Sequence, residues 1–211
     1  FGNQTDNSGL DCDGGNRSRV SKYTLSASGT LVSAKMLFSG LSGGPTNVKV
    51  IIYTDDGGNP SKPSTLVWAS NEVTLAANQG KGYVTFTGAT PHLNAGTYWL
   101  GDIVDSGNSC HYNDSCGASC QYLPENDTYA DGALTTWVTP TEGFQTGNIA
   151  VYVNYTPDVV STTTSTSTSS SSTSSSSSSS STTSTVTTTT VHEQIIITPP
   201  NAFNHWWFPA S

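Results

Sequence analysis

Chemistry in this chain would have to come from a small set of side chains. The four histidines, at 92, 111, 192 and 205, show no i, i+4 pair and no HExxH spacing. Acids that could work in pairs on a glycosidic bond are Asp55, Asp56, Asp102, Asp105, Asp127 and Asp131. They are scattered, and nothing in the sequence fixes two of them at a defined separation. Gly40-Leu41-Ser42-Gly43-Gly44 has the outline of a nucleophile elbow. An elbow needs a strand before it and a helix after it, and here Pro45 follows directly. No catalytic set is therefore expected. Hard oxygen ligands for Ca²⁺ are offered by Asp55, Asp56 and Asn59, and by Asp127 and Asp131. The same residue types are also ordinary turn formers. No other cofactor is expected.

Covalent modification is the richer theme. Five sequons of the form Asn-x-Ser/Thr occur, at Asn3, Asn16, Asn113, Asn126 and Asn154. Residues 161–190 are all Ser or Thr except Val186. Such a tract is a typical acceptor of O-linked sugars; Ser161, Thr162, Thr163, Thr164, Ser165, Ser174, Ser180, Thr187 and Thr190 are candidate sites. Cysteine is even in number, with Cys12, Cys110, Cys116 and Cys120, the last three in a Gly/Ser/Asn-rich stretch. In an exported protein that set reads as two disulfides with three possible pairings. The rival is a zinc site using His111 beside Cys110, but the spacing lacks a CxxC knuckle. Sequons and cysteines together point to an extracellular or cell-surface protein. The start at Phe1, with no initiator Met, is what removal of a signal peptide would leave.

Charge narrows the partners. The chain has 211 residues, 7 Lys and Arg against 15 Asp and Glu, and a formal net charge of −8. Phosphate backbones and anionic membrane surfaces are recognised by clustered cations, so neither nucleic acid nor such a surface is an expected partner. No run approaches the 18 apolar residues of a membrane-spanning helix.

The elements that would position these groups are β-strands. Residues 1–157 form a head with short apolar runs divided by Gly, Pro, Asn and Asp. The expected strands are 19–25, 31–39, 47–54, 65–75, 82–87, 96–104 and 148–155. Alternation assigns faces. Val48, Val50 and Ile52 share one, as do Val32, Ala34, Met36 and Phe38. Ile149, Val151, Val153 and Tyr155 face one way, Tyr152 and Asn154 the other. Seven or eight antiparallel strands imply an all-β sandwich, jelly-roll-like in form. Residues 158–190 form a stalk with no apolar face to offset its conformational entropy. Residues 191–211 form an apolar, aromatic tail in which Ile195, Ile196 and Ile197 read as a strand, ended by Pro199-Pro200. Phe203, Trp206, Trp207 and Phe208 follow. Left exposed, such a tail is an aggregation hazard, so it is expected to be buried against something.

Four stretches of the head carry a resemblance. They are Ser21-Lys22-Tyr23-Thr24-Leu25, the run from Val50 to Pro60, Leu93-Asn94-Ala95-Gly96-Thr97-Tyr98-Trp99-Leu100-Gly101, and Thr128-Tyr129-Ala130-Asp131-Gly132. Residues 17–156 resemble a β-sandwich module of secreted and surface proteins of bacteria, archaea and phages. The resemblance implies an accessory, adhesive or carbohydrate-binding role and no catalytic residues, with the Cys-rich loop 110–120 as an insertion. A compact β head with a β-prone extension also resembles subunits of extracellular filaments built by donor-strand complementation.

Two functions follow. In the first, the chain is a filament subunit whose tail inserts into the head of the next copy, a head-to-tail contact that grows a fibre. The partners are then copies of itself and covalent glycans, and Ile195 and Ile197 fill pockets with Trp206, Trp207 and Phe208 as anchors. In the second, the head is a carbohydrate-binding or adhesive module in which Trp68, Trp99 or Trp137 stacks on sugar rings; the competing role for each Trp is core packing. The direction of donation stays open between the tail, the segment 1–16 and an intramolecular return.

Overall fold

The computed structural model describes residues 1–5, 9–12, 14–114, 121–138 and 143–159. They form an antiparallel β-sandwich. The strands in chain order are β1 (Gly9–Asp11), β2 (Arg17–Leu25), β3 (Gly29–Gly40), β4 (Thr46–Asp55), β5 (Pro63–Ala69), β6 (Val73–Leu75) and β7 (Gly82–Phe86), then β8 (His92–Leu93), β9 (Gly96–Val104), β10 (Ser109–Asp114), β11 (Gln121–Asn126), β12 (Gln145–Thr146), β13 (Asn148–Ile149) and β14 (Val151–Pro157). A single turn of 3₁₀ helix spans Tyr129–Asp131.

The first sheet is organised on β3, whose length lets several partners share it. β10 and β14 divide one edge, and β7 and β8 the other; β1 and β13 extend it through β10. The second sheet runs β12-β11-β2-β9-β4-β5, with β6 beside β4. Residues 1–3 lie along the outer edge of β14: Gly2 bridges Tyr152, the Asn3 N–H donates to the Val151 carbonyl at 2.7 Å, and the Val153 N–H donates to the Phe1 carbonyl at 2.7 Å.

The core between the sheets follows the alternation. Val48, Val50 and Ile52 of β4 face inward with Ala34, Met36 and Phe38 of β3, Tyr98 and Leu100 of β9, and Val151 and Val153 of β14. Val32 departs from the expected face and is half exposed. Asn154 pairs with Ser33 but Tyr155 pairs with Leu31, so a β-bulge leaves Val32 without an opposite number and shifts the inward position to Leu31. The expected strand 65–75 is two strands. The break falls at Ser70, whose N–H donates to the Val50 carbonyl while its hydroxyl accepts from the Val50 N–H at 2.9 Å, closing the β4 ladder. The stretch expected to be a Cys-rich loop from residue 110 begins instead as β10, because His111 pairs with both Asp11 and Phe38.

A second apolar cluster lies on the outward face of the second sheet. Val20, Ile51, Tyr53, Trp99, Ile103 and Leu123 are covered by Tyr129 and Trp137 from the segment after β11, with Ala133 and Phe144 packed at the margin. β4 and β9 are therefore apolar on both faces, which explains the unbroken runs Val50-Ile51-Ile52-Tyr53 and Tyr98-Trp99-Leu100. Gly101 sits between β2 and β4 on this face, where a Cβ would overlap the Arg19 carbonyl oxygen.

Candidate functional site

Ionisable side chains gather at one place inside the sandwich. Arg19 of β2 and Asp102 of β9 are register partners in one sheet, and Asp11 of β1 and His111 of β10 are register partners in the other. The Arg19 guanidinium lies 3.2 Å from His111 Nδ1 and 3.9 Å from Asp11. His111 lies 3.7 Å from Asp11 and 3.8 Å from Asp102. Arginine has no acceptor, so at this contact it donates and His111 Nδ1 accepts, which fixes the proton of a neutral imidazole on Nε2. Burial, aided by the Arg19 charge, holds the His111 pKa well below its usual value. Burial pushes the Asp102 carboxyl up to about 7 despite the opposing pull of Arg19. Asp102, Arg19 and His111 are each almost fully removed from solvent. The quartet thus ties sheet to sheet, and of its four members only Asp11 is partly exposed. It went unread in the sequence, although an Asp and an Arg inside apolar strands are the kind of signal that marks a buried pair.

The disulfide joins this cluster to the edge of the sheet. Cys12 and Cys110 are bonded across 98 residues and pin β1 onto β10 next to Asp11 and His111. Closing a loop of that length removes denatured-state entropy worth about 5 kcal/mol. Cys116 and Cys120 lie outside the described residues.

The expected calcium ligands are engaged locally. Asp55 accepts from the Gly57 N–H at 2.8 Å and from Trp99 Nε1 at 2.8 Å. One Asp56 oxygen accepts from the Gly58 and Lys62 N–H groups, which holds its pKa below the usual carboxylate value. Asp127 accepts from the Ser18 hydroxyl at 2.7 Å, and Asp131 stands on the 3₁₀ turn. Among the described residues, no three His, Cys, Asp or Glu side chains converge as a metal cluster.

The sequons occupy different settings. Asn126 and Asn154 are exposed, and Asn154 faces outward on β14, with its amide donating to Ser33 at 3.1 Å. Asn16 has φ 57° and uses its side-chain oxygen to accept from the Tyr129 N–H. Asn113 pairs with Gly9 and Ile149 in β10. The Asn3 amide nitrogen is shielded from solvent. The O-linked candidates Ser161 to Thr190, and Ile195, Ile196, Ile197, Phe203, Trp206, Trp207 and Phe208, lie outside the described residues.

Two surfaces of the first sheet are available for contact. One is an edge: among the described residues, β7 hydrogen-bonds to β3 on one side and to no strand on the other. The second sheet's edge at β5 differs, since the Thr65–Thr136 bridge and the bonds Leu66 N–H to Thr135 and Trp137 N–H to Ser64 cover it. The other surface is the outward face of the first sheet. Tyr83 of β7 and Tyr152 of β14 meet across β3 at a centroid distance of 5.5 Å, edge to face at 70°. Leu37 lies between them on the same face and is buried. Farther along β3, Tyr112 donates to Ser39 at 3.3 Å, with Lys81 Nζ 4.4 Å from the ring centroid.

The tryptophans expected to stack on sugars are elsewhere. Trp68 is in the main core with Nε1 bonded to the Ala89 carbonyl, Trp99 is in the second cluster, and Trp137 packs edge-on against Tyr53. All three are buried and cannot form a sugar platform. The class defined by the fold is a disulfide-pinned antiparallel β-sandwich in which described residues cover the outer face of the second sheet. No helix of the described residues is long and apolar enough to cross a membrane. No protein-family model, curated protein or solved structure matches this chain.

Proposed function

We propose that this chain is the structural subunit of an extracellular, glycosylated filament, assembled head to tail by donation of a strand from one copy to the next. The observation that carries the reading is that β7, among the described residues, pairs with a strand on one side only, in a chain whose sequence also holds the strand-prone apolar segment 191–211. An unpaired edge is a template for another strand. A strand added there extends the first sheet. Its inward side chains would line up beside Val84 and Phe86, and its outward ones beside Tyr83 and Thr85. Ile195 and Ile197 on the inward side would each gain about 2 kcal/mol from burial. Phe203, Trp206, Trp207 and Phe208 would anchor the remainder. The 30-residue Ser/Thr tract supplies the reach, up to about 100 Å when extended, and glycans on it would keep that reach open. The N-terminal segment is the weaker donor, because residues 1–3 already pair with β14 of their own head.

The test is deletion of residues 191–211, with negative-stain microscopy and mass measurement of the secreted material. Folded monomers without fibres are the expected result. Fibres that persist after the deletion would sink the proposal. The alternative reading, a saccharide-binding module, has its own supporting observation in the open tyrosine face.

A further inference from the structure

We infer that the head carries N-linked glycans at two of its five sequons, Asn126 and Asn154, and that the fold withholds Asn3, Asn16 and Asn113 from the transfer. The inference rests on the extracellular, glycosylated setting of the filament reading and assigns its attachment sites. The reaction sets the requirements. The Asn Nδ2 bonds to the anomeric carbon C1 of an oligosaccharide carried on a polyprenyl diphosphate. The bond from C1 to the diphosphate oxygen breaks, and the polyprenyl diphosphate leaves with the electron pair. The amide nitrogen gives up one proton to a base. The sugar left behind is bulky and must stay at the surface. The Ser or Thr hydroxyl two residues on belongs to the recognised motif. Carboxamide and hydroxyl must therefore be accessible together in the folded chain.

Two sequons meet both conditions. Asn154 and Thr156 are exposed and lie two residues apart on β14, on the face opposite the buried Val151 and Val153. The Asn154 amide donates to Ser33 at 3.1 Å in an exposed setting, where water or sugar can take its place. Asn126 closes β11, and it and Thr128 are exposed on either side of the buried Asp127.

The other three fail at least one condition. Asn113 shares a face with its register partner Ile149, which is completely buried. Its carboxamide oxygen fills the space that a Cβ at Gly9, its partner on the other side, would need. Asn3 has its Nδ2 shielded from solvent, and its Oδ1 accepts from the Thr5 N–H at 2.9 Å. At Asn16 the carboxamide oxygen accepts from the Tyr129 N–H at 3.1 Å. The hydroxyl of that sequon, on Ser18, is completely buried and donates to Asp127 at 2.7 Å. Asp127 is itself the middle residue of the Asn126 sequon. The packing that turns it inward hides Ser18 and leaves Asn126 and Thr128 outside.

The test is glycopeptide mass spectrometry of the full chain secreted by its native cells, read site by site. Asn126 and Asn154 should each carry a glycan in most molecules, and Asn3, Asn16 and Asn113 in almost none. Asn126→Gln and Asn154→Gln should each lower the mass by one glycan, whereas Asn16→Gln should leave the glycan mass unchanged. A glycan on Asn3, Asn16 or Asn113, or a bare Asn126 or Asn154, would overturn the inference. Fibres built from chains bare at both sites would overturn it while leaving strand donation standing. Glycans at both sites on chains that form no fibres would do the reverse.

Discussion

The two outer faces of the sandwich are built from similar residues and end differently. The second sheet presents Tyr53, Trp99 and Ile103 outward, and Tyr129, Ala133, Trp137 and Phe144 pack over them. The first sheet presents Tyr83, Tyr152 and Tyr112 outward, and no described segment covers them. Where a face is covered, aromatic residues are core and contribute stability. Where no described segment covers the face, the same residue type stays partly exposed and contributes less to stability. The first sheet instead relies at its margin on a covalent tie, Cys12–Cys110.

The most direct way to break this comparison is to damage the cover. Trp137 is buried and meets Tyr53 edge-on at 5.0 Å, while the Tyr53 hydroxyl donates to the Leu134 carbonyl at 2.7 Å. Trp137→Ala should cost about 4 kcal/mol in chemical denaturation, the usual range for emptying an aromatic site in a core. A cost under about 1 kcal/mol would mean that the segment does not act as a third layer.

A smaller effect tests what joins the sheets independently of any cover. Asp102 has a folded pKa raised from 3.8 to about 7, so its contribution is fully present below pH 4 and is lost as pH rises toward 7. His111 has a depressed pKa, so its contribution is present above about pH 6.5 and is lost as pH falls. The two oppose each other between pH 4 and 7. Asp102→Asn mimics the protonated carboxyl and should remove the loss on the neutral side. The raised pKa, which already contains the opposing pull of Arg19, corresponds to about 4 kcal/mol in all. The variant should therefore gain about 3 kcal/mol on the wild type between pH 4 and 7. Thermal unfolding across that range checks it. Parallel profiles for the two proteins would show that Asp102 does not titrate there.

Much of this architecture is legible in the sequence, and the exceptions have physical causes. Alternation identifies the inward faces of β4 and β14 because a strand has a strict period of two. It fails at Val32, where a bulge adds one residue to one strand only, and bulges leave no local mark in alternation. It fails for β10 because pairing with β1 and β3 comes from distant residues. The tryptophans were open to two roles because burial depends on a covering segment some forty residues away from Trp99. The tyrosine face was missed for the same reason. Tyr83, Tyr112 and Tyr152 come from three strands and share a face only once β3 is flanked on both sides. Tyr152 was correctly placed facing outward with Asn154, yet its neighbours could not be.

The smallest expected effect is the most discriminating. Tyr83→Ala and Tyr152→Ala remove one edge-to-face pair, worth about 1 kcal/mol, and partly uncover Leu37. Each variant should lose about 1 kcal/mol or less, roughly a quarter of the effect of Trp137→Ala. If the two tyrosines were core residues, the cost would match that of Trp137. Measuring the unfolding free energy of both variants separates these cases, because emptying a buried aromatic site costs several kcal/mol and truncating a partly exposed ring does not.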